Sequence, residues 1–172
     1  MRALTLTVIL SAGVSWAAPA PATPNPPLTT AQRTQAAQLA ARMNQLPQPL
    51  SNSAQQLYDG VARARGEILV VTGGLPQGLA QALVTAAKGG AKITVLADSK
   101  VASSLLPLKR SGVALYRSTV PVRQGMLVHN DVTLTGRLVN TVERTQGAYR
   151  SVSMVTTIRT SWRDLIKLGV RL

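Results

Sequence analysis

Between residues 29 and 65, apolar and polar positions follow a helical pattern. The Thr29-Thr30 pair can cap a first helix that runs to about Leu46, because Ala, Gln, Arg and Leu dominate this stretch and favour helices. Two prolines then interrupt the pattern. Ser51 or Ser53 can cap a second helix, whose apolar residues lie four positions apart on one side and which ends near residue 65.

From residue 67 onward, continuous apolar runs of strand length alternate with helical stretches. The sequence predicts strands at 67–72, 92–97 and 113–116, separated by helices at 77–88 and 101–110. Strands joined through helices in this order pair in parallel. Short strands at 126–129 and 132–135 flank Asn130-Asp131, a favourable hairpin turn pair, and a strand at 149–156 and a helix at 161–168 follow.

These elements predict an α/β fold with a mixed sheet flanked by helices. The α/β domain is expected at 51–172, after an N-terminal helical segment at 29–50. A Pro-rich stretch at 21–28 predicts an extended linker before that segment.

The first 20 residues have the pattern of a secretory signal peptide. Arg2 supplies a positive charge and an apolar stretch from Ala3 to Val14 follows. Ser15-Trp16-Ala17 or Ala18-Pro19-Ala20 then fits a cleavage site of the A-x-A type. The alternative is an uncleaved anchor helix, for which the apolar stretch is short. The sequence therefore predicts export to the periplasm, the cell envelope or the medium.

Charge and composition narrow the classes of partner and chemistry. Nineteen Lys and Arg residues face six Asp and Glu residues, which gives a net charge of +13 and favours a polyanion such as nucleic acid, anionic lipid or acidic glycan. The alternative is that the charge serves solubility alone. With no Cys, and with one His, the chain is expected to hold neither a disulfide nor a metal or other cofactor.

Four segments in order resemble the phospholipase D superfamily over roughly residues 53–168. They read LYDGVARARGEILVVT, LAQALVTAAKGGAKITVLAD, LKRSGVALYR and DVTLTGRLVNTV. The first three are similar to the helices and strands that build the family's sheet. The fourth is similar to the family's hairpin return, in which an Asp is followed by G-S-x-N. The resemblance implies the family's mixed sheet, and pairing of two copies as in small bacterial phospholipase D-like nucleases.

The same resemblance locates the family motif, H-x-K-x4-D, and shows that it is degenerate here. Counting back from Asp131 places Gln124 at the His position and Met126 at the Lys position. Arg137 stands at the Ser position of G-S-x-N, and Asn140 lies one residue beyond the family spacing. In the family, the His attacks a phosphodiester and the Lys holds phosphoryl oxygens. An amide and a thioether can do neither, so no catalytic residue is assigned.

His129 does not replace the missing nucleophile in this interpretation. It lies five positions beyond Gln124, so strand alternation places the two on opposite faces, and a solvated or hydrogen-bonded role is expected for His129.

Arginines surround the degenerate motif and are the candidate ligand-binding residues, together with one asparagine. They are Arg117, Arg123, Arg137, Arg144, Arg150 and Asn140. Arginine suits bidentate phosphate contacts, whereas solvated loop charges are the alternative. Because aromatic residues are few, nucleic-acid binding would depend on phosphates and show little sequence preference.

Three functions follow from these observations. The first is an exported, non-catalytic binder of DNA, RNA or another phosphate polyanion. The second is an active phosphodiesterase, a nuclease or phospholipase, with a rearranged site. The third is a structural protein of the cell envelope that docks to anionic lipid or glycan.

Overall fold

The computed structural model describes residues 29–43 and 46–172. Over this part of the chain, eight strands form one mixed sheet, accompanied by five α-helices. The helices are α1 (Thr30–Met43), α2 (Ala54–Arg63), α3 (Gln77–Lys88), α4 (Leu106–Lys109) and α5 (Val152–Lys167). The strands are β1 (Gln48–Pro49), β2 (Glu67–Thr72), β3 (Lys92–Ala97), β4 (Ala114–Ser118), β5 (Met126–His129), β6 (Val132–Gly136), β7 (Gln146–Arg150) and β8 (Gly169–Arg171). The predicted signal peptide at 1–20 and linker at 21–28 lie outside the described residues.

The strand order across the sheet is β1-β7-β6-β5-β2-β3-β4-β8. Strands β2, β3 and β4 pair in parallel, as the βαβ pattern predicts, and all other neighbours pair antiparallel. The mixed α/β architecture predicted from the sequence is therefore confirmed. The edge of the sheet at which β2, β3 and β4 end is called the carboxyl edge below.

One face of the sheet, the helix-rich face, carries most of the apolar core. Alternate residues of the central strands, such as Ile68, Val70 and Leu127, point into a cluster that also contains Val61 of α2 and Leu83 of α3. All five are fully buried. The β-branched and leucine side chains of β2 and β3 fit this role because both strands lie inside the sheet.

The opposite face, the α5 face, is covered more sparsely. Its apolar cluster consists of Leu69, Val128 and Val155, with Ile158 and Trp162 packed partly buried against it. Helix α5 supplies three of these five residues, spaced as one helical stripe.

The last strand and helix predicted from the sequence are wrong in their boundaries. The segment 149–156 is a strand only as far as Arg150, where β7 ends. Ser151 then caps α5 by accepting a hydrogen bond from the backbone N–H of Met154 at 3.2 Å, so α5 begins at Val152 instead of residue 161. The β-branched run that suggested a strand is helical because its apolar stripe is buried on the sheet and tertiary packing outweighs local propensity.

Two smaller predictions also need correction, and two short strands were not predicted. The segment 101–110 is a 3-10 turn (Ala102–Leu105) followed by the short α4, because Pro107 lies at the start of that helix. The segment 29–50 is helical only over α1, and Gln48–Pro49 joins the sheet by pairing with β7. The short edge strands β1 and β8 carry no alternating apolar signal, so the sequence did not predict them.

In the described ranges, no helix has the length and apolar character needed to cross a membrane.

Candidate functional site

A cavity of about 400 Å³ opens on the α5 face at the carboxyl edge. Its lining residues come from β2, β5, β6, the loops around them and α5: Val71, Gln124, Gly125, Met126, Thr135, Gly136, Glu143, Thr145 and Leu165. Gln124 and Met126, which the resemblance places at the His and Lys positions, therefore line the same cavity. Glu143 is the one ionisable residue among these lining residues.

The loop at 137–145 forms one wall of the cavity and is tied to the end of β2. The Thr72 hydroxyl donates to the carbonyl of Val139 at 2.7 Å, and the Thr141 N–H donates to the carbonyl of Gly74 at 2.7 Å. Tyr58 of α2 donates its hydroxyl proton to the Leu138 carbonyl at 2.9 Å. These bonds hold the loop against the end of the sheet.

Asn140 is fully buried and acts as the centre of this loop. Its amide Nδ2 donates to Glu143 Oε1 at 3.1 Å, and its Oδ1 accepts from the Val142 N–H at 3.4 Å. Glu143 Oε1 also accepts from the N–H of Gly125. Asn140 thus has no exposed surface to offer a ligand, and the structure gives it a role in shaping the cavity wall.

Gly125 lies between Gln124 and Met126 because no larger residue fits there. A Cβ on Gly125 would lie 2.9 Å from the backbone nitrogen of Asn140 and even closer to its Cβ. The close approach lets the N–H of Gly125 reach Glu143, and it sets the position of the two motif residues beside it.

Asp98, at the end of β3, fastens the segment that leads into β5. Its carboxylate accepts the Lys100 N–H at 2.9 Å and the Val122 N–H at 2.8 Å. These two bonds, that of Lys100 first, lower the pKa of Asp98 below its ordinary value because they favour the charged carboxylate. The segment carrying Arg123 and Gln124 is thereby fixed to the sheet.

Four of the predicted ligand-binding arginines belong to the carboxyl edge, and none of them lines the cavity. Arg117 lies near the end of β4, Arg123 directly precedes Gln124, and Arg137 and Arg144 belong to the loop at 137–145. All four side chains are exposed. They are called the rim arginines below.

Arg150 and Asp131 lie at the opposite edge of the sheet. Arg150 of β7 pairs with Val132 of β6, and Val132 pairs with His129 of β5. His129 is the last residue of β5, whereas Met126, at the other end of that strand, lies at the carboxyl edge. Arg150 Nε lies 3.2 Å from Asp131 Oδ2, and both side chains are partly exposed. Arg150 is therefore not brought together with the rim arginines, and Asp131 serves the hairpin turn, where Asn130 has a φ of 48°.

His129 is buried on the helix-rich face, where it pairs with Ile68 across the ladder. His129 points away from Met126 by strand alternation within β5, and the predicted solvation is wrong because only 7% of the residue is exposed. Its Nδ1 has no hydrogen-bond partner among the described residues. Burial lowers the pKa of His129, the charge of Asp131 opposes that shift, and the charge of Arg159 reinforces it.

Sequence reasoning missed Glu143, Thr135, Thr145 and Leu165 as cavity residues. Glu143 carries a signal that was available, since it is the only acidic residue in a stretch of arginines between residues 132 and 163. Leu165 carries none, because it reaches the cavity only through the packing of α5 across the sheet.

The fold is that of phospholipase D-like proteins. Nuc from Salmonella typhimurium, a phospholipase D family member, superposes with a TM-score of 0.55 at 14% identity, covering 68% of this chain and 88% of that chain. NucT from Helicobacter pylori gives 0.54 at 11% identity, covering 68% of this chain and 89% of that chain. The resemblance read from the sequence is therefore confirmed at the level of the fold.

A third similar structure is TrmBL2, an archaeal chromatin protein whose structure shows a novel mode of DNA binding. It superposes with a TM-score of 0.56 at 15% identity, covering 83% of this chain and 61% of that chain. The sequence matches no protein-family model and no curated protein. At these identities, the similarity establishes the fold, and the chemistry of the site rests on the residues of this chain.

Proposed function

We propose that this protein is a non-catalytic, phospholipase D-like domain that binds phosphate polyanions, most directly DNA or RNA. The observation that carries the proposal is that Gln124 and Met126, which the resemblance assigns to the His and Lys positions of the family motif, both line the cavity. The neutral amide of Gln124 and the thioether of Met126 supply neither the imidazole nucleophile nor the cation that the family uses on a phosphoryl group, and the negative charge of a Glu143 carboxylate opposes the approach of phosphoryl oxygens.

Charge outside the cavity supports binding. The four rim arginines lie at the same edge of the sheet as the cavity, and the whole chain carries a net charge of +13. Arginine forms charge-assisted hydrogen bonds with phosphate oxygens, and counterion release strengthens such contacts at low salt. A phosphodiester-related or nucleic-acid-binding role also agrees with the similar structures, two of them from the phospholipase D group and one of a DNA-binding protein.

Two further parts of the proposal rest on sequence. Export follows from the signal-peptide pattern at 1–20, and N-terminal sequencing of envelope and medium fractions tests it, with a mature end expected between Ala18 and Pro21. An intact Met1 in a membrane pellet would favour the anchor helix instead. Pairing of two copies, implied by the resemblance, is tested by sedimentation of the purified protein.

The absence of catalysis is tested with plasmid DNA, a simple phosphodiester and phosphatidylcholine. The purified protein is expected to hydrolyse none of them. Turnover that persists through purification and is lost in Gln124→Ala or Glu143→Ala would overturn the proposal and favour a rearranged active site. The converse test is Gln124→His with Met126→Lys, which restores the family's residues to the cavity and is expected to add at most weak hydrolysis, because the surrounding residues do not support them.

Binding at the rim is tested by the salt dependence of affinity for duplex DNA. Neutralising one phosphate-contacting arginine, in Arg123→Gln or Arg137→Gln, should reduce the slope of log affinity against log salt by about 0.9, and should weaken all sequences equally. Arg33→Gln in α1 is the matched control. Equal effects at all three positions would indicate diffuse attraction instead of a site.

Docking to an anionic membrane is the second candidate, and exposed apolar residues among the rim arginines favour it. Val120, Val142 and Leu168 are 46%, 69% and 41% exposed. Apolar side chains beside arginines suit the interface of an anionic bilayer. Co-sedimentation with anionic vesicles, in the absence of any binding to nucleic acid at low salt, would place this candidate first.

A further inference from the structure

Helix α5 presents a cationic stripe to solvent on the side away from its buried residues. Thr156, Arg159, Thr160 and Arg163 surround a surface depression of about 480 Å³, and Lys167 continues the same line one turn further on. The spacing of three and four residues places them on one helical face. The line from Arg159 to Lys167 is about 12 Å long, from the helical rise of 1.5 Å per residue.

The stripe and the cavity lie on different flanks of α5. Leu165 reaches the cavity together with Met126 and Thr135. Arg159 points the other way, to Glu67 at the start of β2, with 3.7 Å between Arg159 Nε and Glu67 Oε2. Since β2 lies between β5 and β3, and Glu67 is on β2, the stripe is on the side of α5 that faces β3, β4 and β8.

This half of the sheet face is left partly open. Helices α2, α3 and α4 pack against the other face, while α5 lies over β5 and β6 and contacts β8 near its end, where Leu96 is buried. The register places Lys92, Thr94, Tyr116 and Arg171 on the open side, because Lys92 pairs with Glu67 and Tyr116 pairs with both Leu96 and Arg171. Thr94 and Tyr116 are half-buried, and Lys92 and Arg171 are exposed.

The charge of the combined surface is strongly positive. Its cations are Lys92, Arg159, Arg163, Lys167 and Arg171, and its acids are Glu67 and Asp164. Lys167 pairs with Asp164 at 2.8 Å and Arg159 with Glu67, but both pairs are exposed and such pairs are weak. No acid among the described residues pairs with Arg163.

We propose that this surface, the α5 stripe with the adjoining open face of β3, β4 and β8, binds single-stranded nucleic acid. The proposal rests on the proposed function and names the form of ligand and a second place where it binds. Phosphates lie along Arg159, Arg163 and Lys167, and one base stacks on Tyr116. Single-stranded nucleic acid has bases that are free to stack. It therefore suits a sheet surface that combines an aromatic side chain with a row of cations. A duplex keeps its bases stacked on each other and gains nothing from Tyr116.

The experiment compares a labelled 20-nucleotide oligothymidylate with a duplex of the same length, by fluorescence anisotropy over a series of salt concentrations. The variant Arg159→Gln/Arg163→Gln removes two phosphate contacts. It should reduce the salt slope for the single strand by about 1.4, at about 0.7 for each contact. The control, Arg63→Gln/Arg110→Gln, removes the same two charges from α2 and the end of α4 and should leave the slope unchanged.

Tyr116 is tested separately, because a change in salt dependence alone does not distinguish a defined binding surface from diffuse electrostatic attraction. Tyr116→Leu should lower the affinity for the single-stranded oligonucleotide at least fivefold and leave the affinity for the duplex unchanged. Tyr116→Phe keeps the aromatic ring and should retain the affinity for the single strand. Circular dichroism and unfolding midpoints of each variant show whether it is folded. If Tyr116→Leu does not fold, the two double variants alone decide the proposal.

The outcomes separate this proposal from the proposed function. Loss of affinity in Arg123→Gln and Arg137→Gln, with none in the α5 double variant, would overturn the α5 surface and leave binding at the rim. Equal losses in the α5 and control double variants would overturn it in favour of diffuse attraction. If wild-type protein binds neither oligonucleotide at low salt, the proposed function itself fails.

Discussion

The two faces of the sheet differ in how much apolar side-chain area they bury. The helix-rich face packs aliphatic residues of α2, α3 and α4 against alternate residues of the strands in one large cluster. The α5 face has a small apolar cluster around Leu69, Val128 and Val155, a cavity at the carboxyl edge, and a cationic helix surface. Burial of apolar area stabilises the fold mainly on the first face. The second is thereby left open for contacts with a ligand.

The contrast explains how a chain without Phe or Cys keeps a defined site. The core requires only that aliphatic side chains fill the helix-rich face. The site instead depends on a few polar anchors, namely Asp98, Asn140 and Thr72, which are all buried and hydrogen-bonded. Each anchor fixes a loop at the carboxyl edge and stabilises the whole molecule less than a core leucine does.

The largest expected effect is the loss of a core side chain on the helix-rich face. Leu83→Ala should lower the free energy of unfolding by about 3 kcal/mol, because Leu83 is fully buried and the truncation leaves a cavity. Leu69→Ala removes the same atoms on the α5 face, where the apolar cluster is smaller, and should cost about 2 kcal/mol. Urea unfolding measures both. Equal losses would contradict the difference between the faces.

A clash at the cavity wall should have the next largest effect. Gly125→Ala should destabilise the protein by about 2 kcal/mol, since the added methyl group meets Asn140. Gly60→Ala is the control, because nothing lies within 4 Å of a Cβ there. As Gly60 lies within α2, that variant should be more stable by about 0.7 kcal/mol. Thermal unfolding of the two variants checks the opposite signs, and a neutral Gly125→Ala would show that the wall can move.

Removing the charge of Asp98 should cost about 1.5 kcal/mol at pH 7, because hydrogen bonds to a charged group are lost or weakened in Asp98→Asn. The folded-state pKa of Asp98 lies below its unfolded value, so its stabilisation is present above about pH 4 and is lost as pH falls through the folded pKa.

The gap between wild type and Asp98→Asn should therefore close in strong acid, which urea midpoints between pH 7 and pH 2 would measure. A gap that stays constant would mean that the carboxylate charge contributes nothing. Asp164→Asn, at an exposed position of α5, is the matched control and should cost little at any pH.

The smallest effect concerns the single histidine. Burial lowers the folded-state pKa of His129, so the unfolded chain binds a proton more readily. Stability should therefore fall as pH drops below about 6.5, the ordinary value for histidine, and level off below the folded pKa. His129→Gln should remove that decline. Urea midpoints from pH 7.5 to pH 5 would show it, and a wild-type curve that is flat over this range would contradict the argument.

Local pattern alone was sufficient for the parallel half of the sheet and for the hairpin. The runs at 67–72 and 92–97 are mostly apolar because both strands lie inside the sheet between other strands. A run of this kind can be recognised from the sequence. Asn130-Asp131 forms the turn because Asn tolerates the left-handed conformation that it adopts there. The charge and the residues at the motif positions are likewise properties of the sequence.

Tertiary structure decided where those residues lie. Arg137 and Arg150 are equally basic and lie on neighbouring strands or their ends, yet the antiparallel register of β6 and β7 sends them to opposite edges of the sheet. Helix α5 begins at Val152 because its apolar stripe packs against Leu69 and Val128. Local helix and strand propensities cannot predict this contact. The cavity exists only because Leu165 and Glu143, distant in sequence from Val71, pack at the same edge. Long-range packing energies set these positions, and they are not encoded in any one segment.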